Sequence, residues 1–320
     1  MPGADVLLVS LGGTAGLRAA DALLAGALRR AGAEVAVASV RRPREWRTFA
    51  AIELAWALNA RRAARDALAA HRPRAVLYST TTAALLAPAP GAIRFDAPAA
   101  GNRPGRHGIW QRPAERRRFA AAPLLVPWSD GALAEAPPSP APAIVVPVPV
   151  ASSGPADERD LAAVTYGANP HKKGLDRVLA AWRAARRGDE RLVVAGLDGQ
   201  DEPGVRYAGM VAADEYRALL RRARVFVCAP RREDYGIAQL EALADGCALV
   251  TTPSPGPYAA LPLARELDRR LVGDDLATAL RAALDEPAPG YAERAAALLG
   301  PWAPEAVDRV VAEELWPALR

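Results

Sequence analysis

Two glutamates, Glu233 and Glu241, stand eight residues apart around Gly236, and their spacing suggests a binding role. A helix that begins at Gly236 and Ile237 offers free backbone N–H groups and the positive end of its macrodipole, which suit a phosphate. Glu241 can accept hydrogen bonds from the vicinal hydroxyls of a ribose, and Glu233 from a second polyol. The pattern therefore favours a nucleotide sugar, while helix-start stabilisation by acidic residues is the alternative.

The elements that must hold these residues form one strand–helix–strand unit. The apolar run 225–229 predicts a buried strand, and a charged loop and an amphipathic helix follow it. Asp245 and Gly246 end the helix, and the apolar run 247–250 predicts the next strand.

The order strand, Pro230, Glu233, Tyr235, Gly236, Glu241 and Gly246 resembles the E-x7-E signature of retaining glycosyltransferases of family 4. The resemblance extends more loosely over residues 161–280. It implies an α/β chain with the GT-B fold, in which two Rossmann-like doubly wound domains face a cleft. It also implies that the last helix crosses back to the N-terminal domain.

Lysine is scarce: Lys172 and Lys173 are the only two among 41 basic residues, and they are adjacent. A compact ammonium suits a diphosphate oxygen, although chance adjacency is an alternative. In the family a Lys-Gly dipeptide in this loop neutralises the diphosphate, and Lys173 with Gly174 matches it. Ala168 occupies the position of the family's arginine, which leaves substitution by Lys172, Arg231 or Arg232 open.

Other donor and acceptor contacts are implied mainly by the resemblance. Gly12 and Gly13 follow the first predicted strand, and the family's first glycine loop faces donor and acceptor; a tight turn is the alternative. The spacing is not G-x-G-x-x-G and no acidic residue ends the next strand, so a nicotinamide cofactor is not expected. The backbone at Met210 and Val211 resembles the segment that brackets the nucleobase.

The loop 99–113 is the chemically richest part of the N-terminal half, and His107 lies in it. Family members place a histidine near the donor sugar, and His107 is one candidate, with a surface histidine as the alternative. Residues 1–150 carry a net charge of +9 and residues 151–320 a net charge of −4. The basic half can face an anionic acceptor or an acidic membrane surface, or it can be simply solvated.

Bulk properties bound the organisation of the 320-residue chain. Its length predicts two domains: residues 1–150 plus a C-terminal helix over 302–320, and residues 151–301, with a linker at 151–157. The proline-rich stretch 136–149 is expected to contain a strand at 143–146, and Trp56 and Leu58 are expected in the core. Two strand cysteines, no evident signal peptide and no membrane span indicate a soluble, cytoplasmic protein without a disulfide framework.

The expected activity is transfer of a sugar, with retention of configuration, from a nucleotide diphosphate sugar to a hydroxyl acceptor, which can be a glycan, a lipid-linked or a small molecule. Lys173, Glu233 and His107 are the expected catalytic residues. Glu241, Gly236, Ile237, Lys172, Met210, Val211, Gly12 and Gly13 are expected to bind substrate. No metal, cofactor or nucleic-acid partner is expected. A nucleotide-sugar epimerase and a degenerate binding or scaffold subunit are the alternatives. The latter is motivated by Ala168 and by the loop 253–258, where the family usually shows a glycine pair and a further glutamate.

Overall fold

The computed structural model describes residues 3–44, 48–155 and 157–320. Its Cα positions divide into two compact units, Met1–Pro149 with Pro304–Arg320 and Val150–Ala303. Ala156, within the predicted linker, lies outside the described residues. Other linker residues are bound to the second unit, since Ser153 N donates to Asp245 Oδ1 at 2.7 Å and Arg217 donates to Ala151 O at 2.7 Å.

Within the described ranges, the first unit is built on a parallel sheet of five strands in the order β2-β1-β3-β4-β5. The strands are β1 (Val6–Ser10), β2 (Val35–Ser39), β3 (Ala75–Tyr78), β4 (Ala92–Phe95) and β5 (Leu125–Pro127). The helices are α1 (Ala15–Arg30), α2 (Phe49–His71), α3 (Thr81–Ala84), α4 (Ala99–Asn102), α5 (Gln111–Ala121) and α6 (Asp130–Glu135). Strands β1 and β4 are buried along their whole length, as continuous apolar runs predict for parallel sheets.

The described part of the second unit contains another parallel five-stranded sheet, in the order β10-β9-β6-β7-β8. Its strands are β6 (Leu161–Tyr166), β7 (Leu192–Ala195), β8 (Val205–Gly209), β9 (Ala223–Cys228) and β10 (Ala248–Thr251). Its helices are α7 (Pro170–Lys173), α8 (Leu175–Ala185), α9 (Ala213–Arg222), α10 (Ile237–Ala244), α11 (Ala260–Leu267), α12 (Leu276–Asp285) and α13 (Tyr291–Leu298). The two sheets confirm the expected pair of Rossmann-like domains.

The C-terminal tail packs on the first unit as α14 (Pro304–Val310), a π-helical stretch Val311–Leu315 and α15 (Trp316–Leu319). Its apolar face includes Val307, Val311 and Leu315, which lie in one core with strand β1 and helix α1. Arg30 Nη2 and Asp308 Oδ1 add an ion pair of 2.6 Å. The helix starts at Pro304, later than predicted, because a 3₁₀ turn occupies Gly300–Trp302.

Two sequence expectations in the first unit are wrong. Residues 143–146 form only an isolated bridge with β5, although Ile144 N and Val146 N donate to Leu125 O and Pro127 O. Prolines on both sides of this segment restrict its backbone, so no ladder extends. Leu58 is 50% exposed rather than in the core, while Trp56 is partly buried and packs against the core.

Among the described residues, no helix is both long and apolar enough to cross a membrane.

Glu115 ties the loop after β4 to helix α5. Both of its carboxylate oxygens accept from Ala99 N, at 2.8 and 2.9 Å, and its side chain is buried. Burial raises the pKa of Glu115 to about 7 from its ordinary value of 4.5, against the opposing effect of the Ala99 hydrogen bond. The folded chain therefore keeps this proton at pH values where the unfolded chain has lost it.

We expect the free energy of unfolding to contain a term that is fully present below pH 4.5 and lost as the pH rises to about 7. The slope from one such group is about 1.4 kcal/mol per pH unit. Urea unfolding across this range should show a smaller slope for Glu115→Gln. The exposed Asp66→Asn should keep the wild-type slope. Equal slopes for wild type and Glu115→Gln would contradict the assignment.

Candidate functional site

The carboxyl ends of β6 and β9 form the switch point of the second sheet. From β6 the chain runs outward through β7 to β8, and it then returns to β9 on the opposite side of β6. Such switch points separate the loops that follow two neighbouring strands, which opens a crevice for ligands. The loop after β6 carries Lys172 and Lys173, and the loop after β9 carries Glu233.

The two lysines lie on a short turn, Pro170–Lys173, which we call the lysine turn. Asn169 caps its start by accepting from Lys172 N at 3.3 Å, and Gly174 ends it with φ of 64°. A Cβ added to Gly174 would lie 1.9 Å from Ala229 O, at the end of β9. This close approach of two backbones requires glycine at position 174. Arg231 N also donates to Lys172 O at 2.9 Å, and this hydrogen bond joins the two loops.

Lys173 and Glu233 form the central ion pair of the site. Lys173 Nζ lies 2.7 Å from Glu233 Oε2, and the two side chains are 22% and 5% exposed. Gln239 Nε2 donates to the same oxygen at 2.9 Å. A buried carboxylate needs such partners, because an unpaired buried charge is strongly destabilising. The contacts place the Glu233 carboxylate beside a cation.

Asp234 binds a second set of cations. Its carboxylate contacts Lys172 Nζ, and its Oδ1 accepts from Arg232 Nε at 2.8 Å. Burial opposes ionisation of Asp234, but these cations prevail and lower its pKa below the ordinary value of 3.8. Arg231 instead donates to both carboxylate oxygens of Asp176, at 3.0 and 2.7 Å. Arg231 and Arg232 are the two arginines that could replace the one absent at Ala168. Of these two, Arg232 binds Asp234 together with Lys172, whereas the Arg231 side chain binds Asp176.

Gly236 begins α10 in the left-handed region, with φ of 93°. A Cβ there would lie 2.9 Å from the ring of Tyr258, so the loop 253–258 packs directly against the helix start. Pro255 O accepts from Glu233 N at 3.1 Å, and a Cβ on Gly256 would lie 2.3 Å from Glu233 O. The proline-rich loop, which departs from the family's pattern, thus fixes the backbone of Glu233.

Glu241 lies on α10, away from the Lys173–Glu233 pair. Its Oε1 is 3.8 Å from Arg217 Nη1, and its side chain remains 27% exposed. Arg217 is held more tightly by Asp245, at 2.6 Å. Burial raises the pKa of Glu241, and the Arg217 charge offsets part of this effect. The carboxylate therefore keeps accessible surface for a ligand's hydroxyl groups.

The remaining predicted residues lie on loops of both units. In the first unit Gly12, with φ of 57°, and Gly13 follow β1. His107 is exposed on a 3₁₀ turn, edge-on to Phe49 with 6.4 Å between ring centroids. In the second unit Met210 is 72% exposed and Val211 partly exposed, just beyond β8. The structure thus brings Lys172, Lys173, Glu233 and Gly236 together, and it leaves Glu241 as a neighbouring, separate group.

Three further residues belong to this region and were not predicted: Asp234, Gln239 and Arg217. A sequence signal existed for Gln239, because it is a polar residue within the otherwise apolar start of α10. Among the described residues, no group of three His, Cys, Asp or Glu side chains is placed to hold a metal ion.

Residues 160–286 match the family described as Glycosyl transferases group 1. A comparison with curated proteins finds no match. Among solved structures, the chain resembles sucrose-phosphate synthase from Thermosynechococcus elongatus, with 15% identity, TM-score 0.72, and 98% of each chain covered. It also resembles WaaG, a glycosyltransferase involved in lipopolysaccharide biosynthesis, with 15% identity, TM-score 0.69, and 96% and 99% covered.

A third similar structure is an E. coli trehalose-6-phosphate protein bound with UDP-2-fluoro glucose, with 12% identity, TM-score 0.61, and 84% of this chain and 77% of that chain covered. These likenesses establish the two-domain GT-B fold. The domain match over residues 160–286 marks the protein as a glycosyltransferase.

We expect Gly174→Ala to destabilise the second unit, since both the positive φ and the approach to Ala229 O forbid a side chain. Gly188 is the matched control, because it has φ of 54° but nothing within 4 Å of an added Cβ. Gly188→Ala should cost roughly 1–2 kcal/mol from the backbone alone, and Gly174→Ala a further 1–3 kcal/mol, roughly, from overpacking. Equal costs in urea unfolding would refute the close contact.

Proposed function

We propose that the protein is a retaining, metal-independent glycosyltransferase that moves a sugar from a nucleotide diphosphate sugar to a hydroxyl acceptor. The observation that carries the proposal is the cluster at the β6–β9 switch point. There the Lys173–Glu233 pair adjoins a helix that begins at Gly236. A cation, free helix-start amides and a carboxylate are the groups that a diphosphate and a sugar require in adjacent positions.

Each part of the donor has a proposed partner. The diphosphate binds Lys173 and the amides of Gly236 and Ile237, and the ribose hydroxyls bind Glu241. Glu233 binds the transferred sugar. The backbone at Met210 and Val211 brackets the base. The UDP-2-fluoro glucose held by a similar E. coli protein supports a nucleotide-sugar donor of this kind.

Bond breaking at the anomeric carbon releases a nucleoside diphosphate, whose growing negative charge the fixed cations and helix dipole stabilise. The acceptor oxygen forms the new bond on the same face of the sugar, and its proton passes to the leaving phosphate. The charges of Lys172, Lys173 and Arg232 exceed those of Glu233 and Asp234 by one, so the cluster favours an anion. This balance supplies the charge stabilisation without a divalent ion.

Arg232 and Lys172 are the proposed replacements for the arginine absent at Ala168. Both contact Asp234, next to Glu233 in sequence, so both cations lie on the loops that we propose to border the donor phosphates. Arg231 is assigned no such role, because Asp176 engages both of its Nη groups.

The acceptor is proposed to bind the first unit, near Gly12, Gly13 and His107. Peripheral contact with an acidic membrane is a further proposal, motivated by exposed Leu54 and Leu58 on the same helix as several exposed arginines. Sedimentation with anionic but not neutral lipid vesicles tests it, and no sedimentation with either would remove it.

We expect Glu241→Ala to weaken binding of the nucleoside diphosphate about ten- to a hundredfold, because a charge-assisted hydrogen bond to the ribose is lost. Isothermal titration calorimetry against a panel of nucleoside diphosphates measures the effect. Glu266→Ala, an exposed glutamate on α11, should bind as wild type does. Unchanged affinity in Glu241→Ala would remove the ribose assignment.

The reaction itself is tested by proton NMR of the products formed from an α-linked donor in the presence of EDTA. We expect an α-linked product at an undiminished rate. A β-linked product would contradict retention, and loss of rate in EDTA would contradict metal independence. Isomerised donor without transfer would favour an epimerase, and binding without turnover over a broad acceptor panel would favour a binding or scaffold subunit.

A further inference from the structure

Gln239 is a buried polar residue that the proposed chemistry leaves without a role. It lies in the first turn of α10 and is only 1% exposed. Its Nε2 donates to Glu233 Oε2 at 2.9 Å and approaches Cys228 Sγ at 3.7 Å. The amide thus connects the proposed sugar-binding carboxylate to the interior of the unit.

The orientation of the amide follows from electrostatics. A flipped amide would place its oxygen against the Glu233 carboxylate, which is repulsive, so the N–H end must face Glu233. The amide oxygen then finds no hydrogen-bond partner among the described residues. An unpaired buried acceptor is costly, and an apolar side chain of the same shape would avoid that cost. Packing alone therefore does not account for glutamine here.

A buried chain of hydrogen bonds lies behind the amide. Cys228 Sγ lies 3.2 Å from Thr251 Oγ1, and Thr251 Oγ1 lies 3.0 Å from the hydroxyl of Tyr258. The Tyr258 ring also lies beside Gly236 at the helix start. The Gln239 Nε2 that donates to Glu233 also contacts Cys228 Sγ in this chain, so Gln239 has little freedom to follow a moving carboxylate.

We infer that Gln239 is a positioning residue for Glu233. Lys173 and Gln239 both donate to Oε2, from two different elements, and so hold that oxygen in place. Within the described structure neither donor uses Oε1, which is then directed to a hydroxyl of the transferred sugar. This inference rests on the proposed function, because it requires Glu233 to bind that sugar.

The test compares the Kd of a nucleoside diphosphate with the Kd of its sugar-bearing form, and the ratio of the two measures the contribution of the sugar. Gln239→Met keeps the volume and removes the N–H donors. We expect this ratio to fall about tenfold, the effect of one misdirected hydrogen bond to a charged group, while the Kd of the plain diphosphate changes less than twofold. A Glu233→Gln background should abolish the effect of Gln239→Met.

Gln111→Met is the matched control, because Gln111 is the other fully buried glutamine in the described chain and lies in the first unit. It should leave the ratio unchanged. A wild-type ratio in Gln239→Met would overturn the inference and leave the proposed function intact. Failure of wild type to bind any diphosphate or its sugar form would overturn the proposed function, and the inference with it. If circular dichroism shows that Gln239→Met is unfolded, Gln239 has a structural role and the inference is overturned. It stands in that case only if Gln239→Asn folds and lowers the ratio.

Discussion

The partly buried ion pair between Lys173 and Glu233 is the interaction on which the site depends. It joins the loops that follow two neighbouring strands, β6 and β9, at the switch point of the second sheet. A lysine and a glutamate whose side chains are so little exposed to solvent stabilise each other only when both are held in place. The pair therefore makes the two loops a single unit, with a carboxylate and a cation adjacent to the start of α10.

Backbone constraints make this pairing possible. Gly174 allows the lysine turn to reach the end of β9, and Gly256 allows the loop 253–258 to pass under Glu233. Both positions have positive φ and no room for a Cβ. Gln239 adds a hydrogen bond to the Glu233 carboxylate from the interior of the unit. The catalytic role proposed for Glu233 depends on this rigidity, because a free carboxylate would turn toward solvent.

Much of this arrangement could be predicted from the sequence. Continuous apolar runs located the buried strands, since parallel sheets are covered on both faces. The spacing of Glu233 and Glu241 and the lone lysine pair indicated the residues of the site. The Lys173–Glu233 contact itself depends on strand order, and strand order is not encoded locally. Neither periodicity nor composition could show that Asp234 gathers Lys172 and Arg232.

The failures have local physical causes. Leu58 follows the helical pattern of a buried residue but lies on the exposed side of α2. The stretch 143–146 has strand-forming residues, but the flanking prolines prevent a ladder. The C-terminal helix begins at Pro304 rather than at residue 302, because a 3₁₀ turn occupies Gly300–Trp302. In each case packing or backbone chemistry overrode the local pattern.

The most direct test of the central claim is a crystal structure of the protein with the nucleoside diphosphate that binds it most tightly. We expect the terminal phosphate to contact Lys173 Nζ and the amides of Gly236 and Ile237, and the ribose hydroxyls to contact Glu241. A diphosphate that binds elsewhere on the protein and contacts none of these groups would contradict the proposed site.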